Sequence, residues 1–288
     1  MDIGATKTLV VLCDTEGREL ASASAPSEAH HGGAAILDRA AALVSSLVPD
    51  RCALTGVGVG AAGVVDPADG TIVVTGDSFT GWAGTAVNAE LSARLDGVPV
   101  RTENDVNAFL LGELSTTDRH LLGVALGTGV GGALYVDGRL LHGGGTGAGE
   151  IGHLGRFGPA PCTCGRIGHL EAYASGRSLA RRYAEATGRD LPAETVAAAA
   201  HDGDPEAGAV FEDAGRFLGE AIAHAAGLLG IAGAVVGGSV TGSWSLLEKP
   251  LRQALAEQPL LSGAPVEVRL SRNGPKAVAR GAATLVAG

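Results

Sequence analysis

Aromatic side chains make up only 3 % of the 288 residues, so the core has to be built from small aliphatic groups. There are four cysteines, Cys13, Cys52, Cys162 and Cys164, too few for a disulfide framework at this length. Cys162 and Cys164 are also too close in sequence to pair comfortably with each other. A reducing cytoplasm and a metal site fit that usage better. Basic residues are the minority charge: 21 Lys and Arg stand against 31 Asp and Glu, a formal charge of −10. That balance argues against a dedicated nucleic-acid binder, so no nucleic-acid partner is expected. No basic segment leads into an apolar run at the N-terminus, so no secretory leader is expected. Only 221–240 is long and nearly charge-free. Gly227, Gly230, Gly233, Gly237 and Gly238 interrupt it, so it reads as helix, turn and buried strand, with no membrane partner.

What is abundant is hydrophobic residue, at 45 %, and glycine, at 46 positions. The first excludes disorder and the second predicts many tight turns. Residues 6–14 read as a buried strand, 15–18 as a turn, and a further strand follows. Ile36, Leu37, Ala40, Val44, Leu47 and Val48 share one helical face. Residues 54–65 read as a glycine-broken strand. Val87, Leu91 and Leu95 mark a helix closed near Gly97, and 98–102 is a strand running into a helix through Phe109, Leu110 and Leu114.

At Leu121 this grammar starts again. A strand over 121–126 meets the turn Gly127-Thr128-Gly129, a second strand reaches Val136, and Asp137-Gly138-Arg139 turns into a third. The opening segment has the same order around Gly4-Ala5-Thr6, which suggests a duplicated α/β architecture. The last third is helical. Ser175 caps a segment ending at Gly188. Asp204-Pro205-Glu206 opens a long helix whose face holds Val210, Phe211, Ala214, Phe217, Leu218, Ala221, Ile222, Ala225 and Leu229. A strand over 265–270 and a helix over 275–287 close the chain.

Three groups of residues carry chemistry. Asp2-Ile3-Gly4-Ala5-Thr6-Lys7 sets a carboxylate before a glycine turn and a hydroxyl after it, and Gly127-Thr128-Gly129-Val130-Gly131-Gly132 offers a second such turn. Free backbone N–H groups in these turns suit phosphate oxygens, and an Asp beside them can hold a Mg²⁺ water. Either turn alone is ordinary; in matching positions of two halves they place a nucleotide in a cleft between domains. Glu103-Asn104-Asp105-Val106-Asn107 lies where a strand enters a helix. Asp105 can act as general base on a substrate hydroxyl with Asn104 orienting that substrate, or the group is a helix cap with solvated neighbours. Finally, His153, Cys162, Cys164 and His169 form a Cys₂His₂ set in a short loop-rich stretch. Four protein ligands describe a structural zinc, not one that activates water.

Together with Glu150-Ile151-Gly152-His153 and Cys162-Thr163-Cys164-Gly165-Arg166-Ile167-Gly168-His169-Leu170-Glu171, these motifs resemble, in order and over nearly the whole chain, the ROK family of sugar kinases and related repressors. The resemblance implies an actin-like (ribonuclease H-like) duplicated fold. It places a small domain at 1–105, joined by the C-terminal helix 275–288, and a large domain at 106–274. It implies ATP-dependent phosphorylation of a hexose or amino-hexose at the 6-hydroxyl, Mg²⁺ and structural Zn²⁺ as cofactors, a cytoplasmic setting and a homodimer. Asp105 matches the base. Gly63, Asn104, Glu150, His153 and Glu171 match groups around the sugar, with His153 also a zinc ligand. Asp2, Gly4, Thr6, Lys7, Gly127, Thr128 and Gly129 match the phosphate turns, and Gly237 and Gly238 the glycine pair near the adenosine.

The chain departs from the family pattern in several places. His169 replaces a zinc cysteine, Ala5 a glycine, and Ala62 a common proline. Ser78 stands where an Asn contacts the sugar, which bears on glucose as substrate. Only Met1 precedes Asp2, where the family has a full strand, so an upstream apolar strand is expected. A sugar-binding protein without turnover, and a sugar-responsive regulator lacking its DNA-binding domain, are the alternative readings.

Overall fold

The computed structural model describes residues 1–48 and 54–287; Cys52 lies outside them. In chain order the elements are β1 (Asp2–Ile3), β2 (Lys7–Cys13), β3 (Glu19–Pro26), α1 (Gly33–Leu47), β4 (Val57–Ala61), β5 (Val64–Val65), β6 (Ile72–Val74), α2 (Val87–Arg94), β7 (Val100–Asn104) and α3 (Asp105–Glu113). They continue with β8 (Leu121–Leu126), β9 (Val130–Val136), β10 (Arg139–Leu140), α4 (Glu171–Ala174), α5 (Gly176–Thr187), α6 (Ala193–His201), α7 (Pro205–Leu229), β11 (Gly233–Gly237), α8 (Trp244–Glu257), β12 (Glu267–Leu270) and α9 (Ala277–Thr284). The chain divides into two compact units.

The first unit comprises 1–116, 142–147 and 272–288. Its sheet has the order β3-β2-β1-β4-β7. β2 runs antiparallel to both β1 and β3, while β1, β4 and β7 are mutually parallel. Ile3, Ala61 and Asn104 stand in register across those three strands. The segments that follow them, around Gly4, Gly63 and Asp105, therefore leave the same edge of the sheet. Ile36, Leu37, Ala40 and Val44 of α1 pack with Ile3, Val59, Trp82 and Leu91 into the core. Met1 is buried, and its amino group donates to Gly58 O at 2.8 Å.

Helix α3, expected in a large domain spanning 106–274, belongs instead to this first unit. The reason is glycine packing. A Cβ on Gly281 of α9 would lie 1.7 Å from Ala108 O, and one on Gly112 would lie 2.4 Å from Ala277 O. Only bare backbone permits α3 and α9 to approach so closely. The buried Glu113 at the end of α3 adds to this joint, accepting from the N–H groups of Arg272 and Asn273 at 3.0 and 3.1 Å.

The second unit comprises 117–141 and 148–271. Its sheet order, β10-β9-β8-β11-β12, repeats that of the first with the same strand directions. β8 occupies the residues read from sequence, because apolar side chains stop abruptly at Gly127. α7 begins at Pro205 with Asp204 accepting from the N–H groups of Glu206 and Ala207, and closes on Gly230 in the left-handed conformation. Its expected face is buried from Val210 to Ile222; Leu229, in the last turn, is 38 % exposed. Among the described residues no helix is long and apolar enough to cross a membrane, and 221–240 divides into the end of α7, a turn and buried β11.

Candidate active site

In the first unit the site is built where β7 becomes α3. Asn104 is the N-cap: its Oδ1 accepts from the N–H groups of Val106 and Asn107 at 2.9 and 3.1 Å. Its Nδ2 donates to Gly63 O at 2.8 Å and to Asp105 Oδ1 at 3.0 Å. Asn104 thus fixes the carboxylate beside it. Glycine is required at position 63, where φ is 110° and a Cβ would lie 2.5 Å from Val74 O.

Asp105 opens α3, and Oδ1 also accepts from Val106 N–H at 2.9 Å. Burial pushes its carboxyl up to about 7, and the nearby negative charge of Asp2 pushes the same way. Burial likewise raises Asp2 to about 6. Both raised carboxyls stand at the same edge of one sheet, where burial favours their neutral forms. Next to them the turn after β1 closes with Gly4 N–H donating to Lys7 O at 3.1 Å. Thr6 and Lys7 are exposed.

The sequence left Glu103 as a cap or a solvated neighbour, and the structure shows neither. Glu103 is buried; its Oε1 accepts from Asn104 N–H and Asn107 Nδ2, each at 2.9 Å, and His142 Nε2 lies 2.7 Å from Oε2. His142 carried no sequence signal, since its partner lies 39 residues away. Ser78 is exposed on the loop between β6 and the buried Trp82.

In the second unit, the turn 127–129 follows β8, and Gly237-Gly238 ends the neighbouring parallel strand β11. Both therefore lie at the carboxyl ends of adjacent parallel strands, where open α/β sheets take their ligands. Gly238 has φ of 95°, and a Cβ there would meet Leu126 O at 2.3 Å. Gly127 N–H donates to Gly129 O at 2.9 Å, closing the turn and leaving Thr128 exposed at its tip.

Glu150 is exposed, and its Oε2 lies 3.2 Å from His153 Nδ1. His153 leads into the loop that the sequence singled out for metal. One ligand atom from each of His153, Cys162, Cys164 and His169 lies within 4.8 Å of the others, and Cys164 Sγ is 3.2 Å from His169 Nδ1. A tetrahedral zinc with bonds of about 2.0–2.3 Å sets its ligands roughly 3.5 Å apart, so these donors fit it with small contraction. Backbone bonds hold the loop in shape: Cys162 N–H donates to Arg166 O at 2.7 Å, Gly165 N–H to Cys162 O at 3.0 Å, and Gly168 N–H to Ala160 O at 2.8 Å. Burial pushes the Cys162 thiol up and the His169 imidazole down. A cation beside them would favour the thiolate and the neutral imidazole that ligation requires.

The ROK family profile matches residues 1–288, the whole chain. The chain belongs to the ROK family. A glucokinase from Halalkalibacterium halodurans is 31 % identical over 277 residues, covering 88 % of this chain and 83 % of its own. An N-acetyl-D-glucosamine kinase from Salmonella paratyphi B is 30 % identical over 300 residues, covering 99 % and 97 %. Among solved structures, a ROK glucokinase from Streptomyces griseus in complex with glucose and AMPPNP superposes with a TM-score of 0.83 at 29 % identity, covering 99 % of this chain and 97 % of that one. The repeated sheet seen in the two units is the actin-like duplication of this ROK structure.

Proposed function

We propose that Asp105 is the base through which this chain, an ATP-dependent sugar kinase of the ROK family, takes the proton from the hydroxyl it phosphorylates. The observation that carries this reading is the Asp105 carboxyl, raised to about 7 yet held by Asn104 Nδ2 and Val106 N–H. Its proton affinity suits acceptance from an attacking hydroxyl near neutral pH, and its orientation is fixed beforehand. The hydroxyl oxygen then bonds to the γ-phosphorus as the bond to ADP breaks. We assign the transferred group to the 6-hydroxyl of a hexose or amino-hexose.

Glu150, His153 and Glu171 bind the sugar's other hydroxyls, and the side chain of Asn104 acts by aligning Asp105 and framing Gly63. The turns at Gly4-Thr6-Lys7 and Gly127-Thr128-Gly129 hold phosphate oxygens, and Gly237-Gly238 leaves room for the adenosine. Mg²⁺ bound with the nucleotide neutralises phosphate charge. Asp2 suits its hydration shell, since a partly buried carboxyl held at about 6 regains its charge beside a cation. The Cys₂His₂ loop takes a structural zinc that orders His153.

The enzyme works in the cytoplasm as a homodimer in this reading. The experiment that tests it is ADP release measured over a panel of hexoses and amino-hexoses, with the product's phosphate position read by NMR. Sugar-dependent ADP release with phosphate on carbon 6 is expected. Sugar binding without turnover on any member would overturn it.

A further inference from the structure

The carboxylate of Glu171 is already divided between two segments, the start of β9 and the loop 162–164. Oε2 accepts the N–H of Val130, the first residue of β9, at 3.0 Å. Oε1 accepts the hydroxyl of Thr163 at 2.7 Å, and Cys162 Sγ lies 3.6 Å from the same oxygen. Glycine at 129 makes room for this approach, because a Cβ there would lie 2.6 Å from Oε2. The other end of the turn is anchored separately: Gly127 O accepts the N–H of Gly176, the first residue of α5, at 2.8 Å. The turn 127–129 is therefore suspended between α5 and Glu171.

Helix capping does not explain these bonds, since the cap of α4 is Leu170 and Glu171 caps no element. Contact with a sugar hydroxyl does not require them either. Hydrogen bonds to an ionised acceptor are the strong, directional kind, so one carboxylate with a donor on each oxygen fixes the spacing of both. The two donors here are the end of the phosphate turn and the residue between the two cysteines of the metal loop.

We propose that Glu171 is a positioning residue for the phosphate turn, tying 127–130 to the Cys162–Cys164 loop so that the order of that loop sets how tightly the turn holds a nucleotide. This rests on reading the turn as the nucleotide's phosphate site. It differs from a sugar-binding role in that its effect is present with no sugar bound.

The test is calorimetric affinity for Mg-AMPPNP in the absence of sugar, on the full chain with its metal. Gln keeps both contacts, turning its oxygen to Val130 N–H and its amide to the Thr163 oxygen; Ala loses both; Val at 163 removes one. We expect Thr163→Val to weaken AMPPNP about threefold and Glu171→Ala about tenfold, with Glu171→Gln within about twofold of the parent. Unchanged melting temperature and metal content in Thr163→Val separate this from unfolding, and that variant decides if Glu171→Ala does not fold. Parental affinity in Thr163→Val, or equal weakening in Glu171→Gln and Glu171→Ala, overturns the proposal. Thr128→Ala tests the turn itself. Parental affinity there removes the phosphate-site reading and the proposal with it, whereas a loss at Thr128 without one at Thr163 overturns the proposal alone.

Discussion

The carboxyl of Asp105 should make the first unit less stable as pH rises, and replacing it with Asn should remove that loss. Its folded value is about 7, against an ordinary 3.8. A carboxyl raised on folding favours the folded state at low pH, where it is neutral in both states. That advantage is lost between about pH 4 and pH 7, where the unfolded chain has released the proton and the folded one has not. Two-state linkage with these values gives a loss of about 0.5 kcal/mol at pH 4 and about 4 kcal/mol at pH 8. Solvent reaching the half-buried side chain trims the upper figure, so we expect about 2 kcal/mol.

Asn fits the same place, because its amide oxygen accepts from Asn104 Nδ2 and Val106 N–H as Asp does. Urea unfolding followed by the buried Trp82, in a Trp244→Phe background, reads the first unit. The stability of Asp105→Asn should gain on the parent by about 2 kcal/mol between pH 4 and pH 8. A difference that stays flat with pH, or falls, would refute the burial argument.

Metal removal should destabilise the second unit and release the order of 153–169; chelation that leaves its melting temperature unchanged, with less than one zinc per freshly purified chain, would remove the zinc reading. Ser78→Asn should shift the ratio of kcat/KM towards glucose over amino-hexoses, and unchanged ratios across a panel would show that Ser78 does not face the sugar. The acid limb of kcat/KM against pH should fall near 7, where Asp105 takes up its proton, and Asp2→Asn should move that limb to lower pH by removing a like charge. A limb near 4 in the parent would contradict the raised value.

Much of the fold was legible because short-range signals agreed with it. β8 ends where Gly127 follows an apolar run, α5 runs from Ser175 to the left-handed Gly188, and α7 carries both its cap and its Pro. α8 gave no such signal: it contains Pro250 and emerges from a short 3₁₀ turn, without a capping side chain. The final helix starts two residues later than its Pro suggested, because 274–276 form a 3₁₀ turn first. The Cys₂His₂ group was legible from spacing, since its ligands sit within 17 residues and a tight loop gathers them.

Long-range partners were not legible in this way. Nothing local says that His142 reaches Glu103, that Thr163 and Val130 share Glu171, or that Gly281 admits the backbone of α3. The domain boundary moved for that last reason: a polar motif at 103–107 looks like a junction in sequence, while the glycines that bind α3 to α9 are about 170 residues apart.

The central claim, that Asp105 is the base of a sugar kinase, is tested most directly by turnover of Asp105→Asn at saturating ATP, with sugar affinity measured alongside. Asn keeps the shape and both hydrogen bonds but cannot accept the hydroxyl proton. We predict that kcat falls by about 10²-fold or more while the sugar's Kd stays within about twofold of the parent. Turnover near that of the parent would contradict the account.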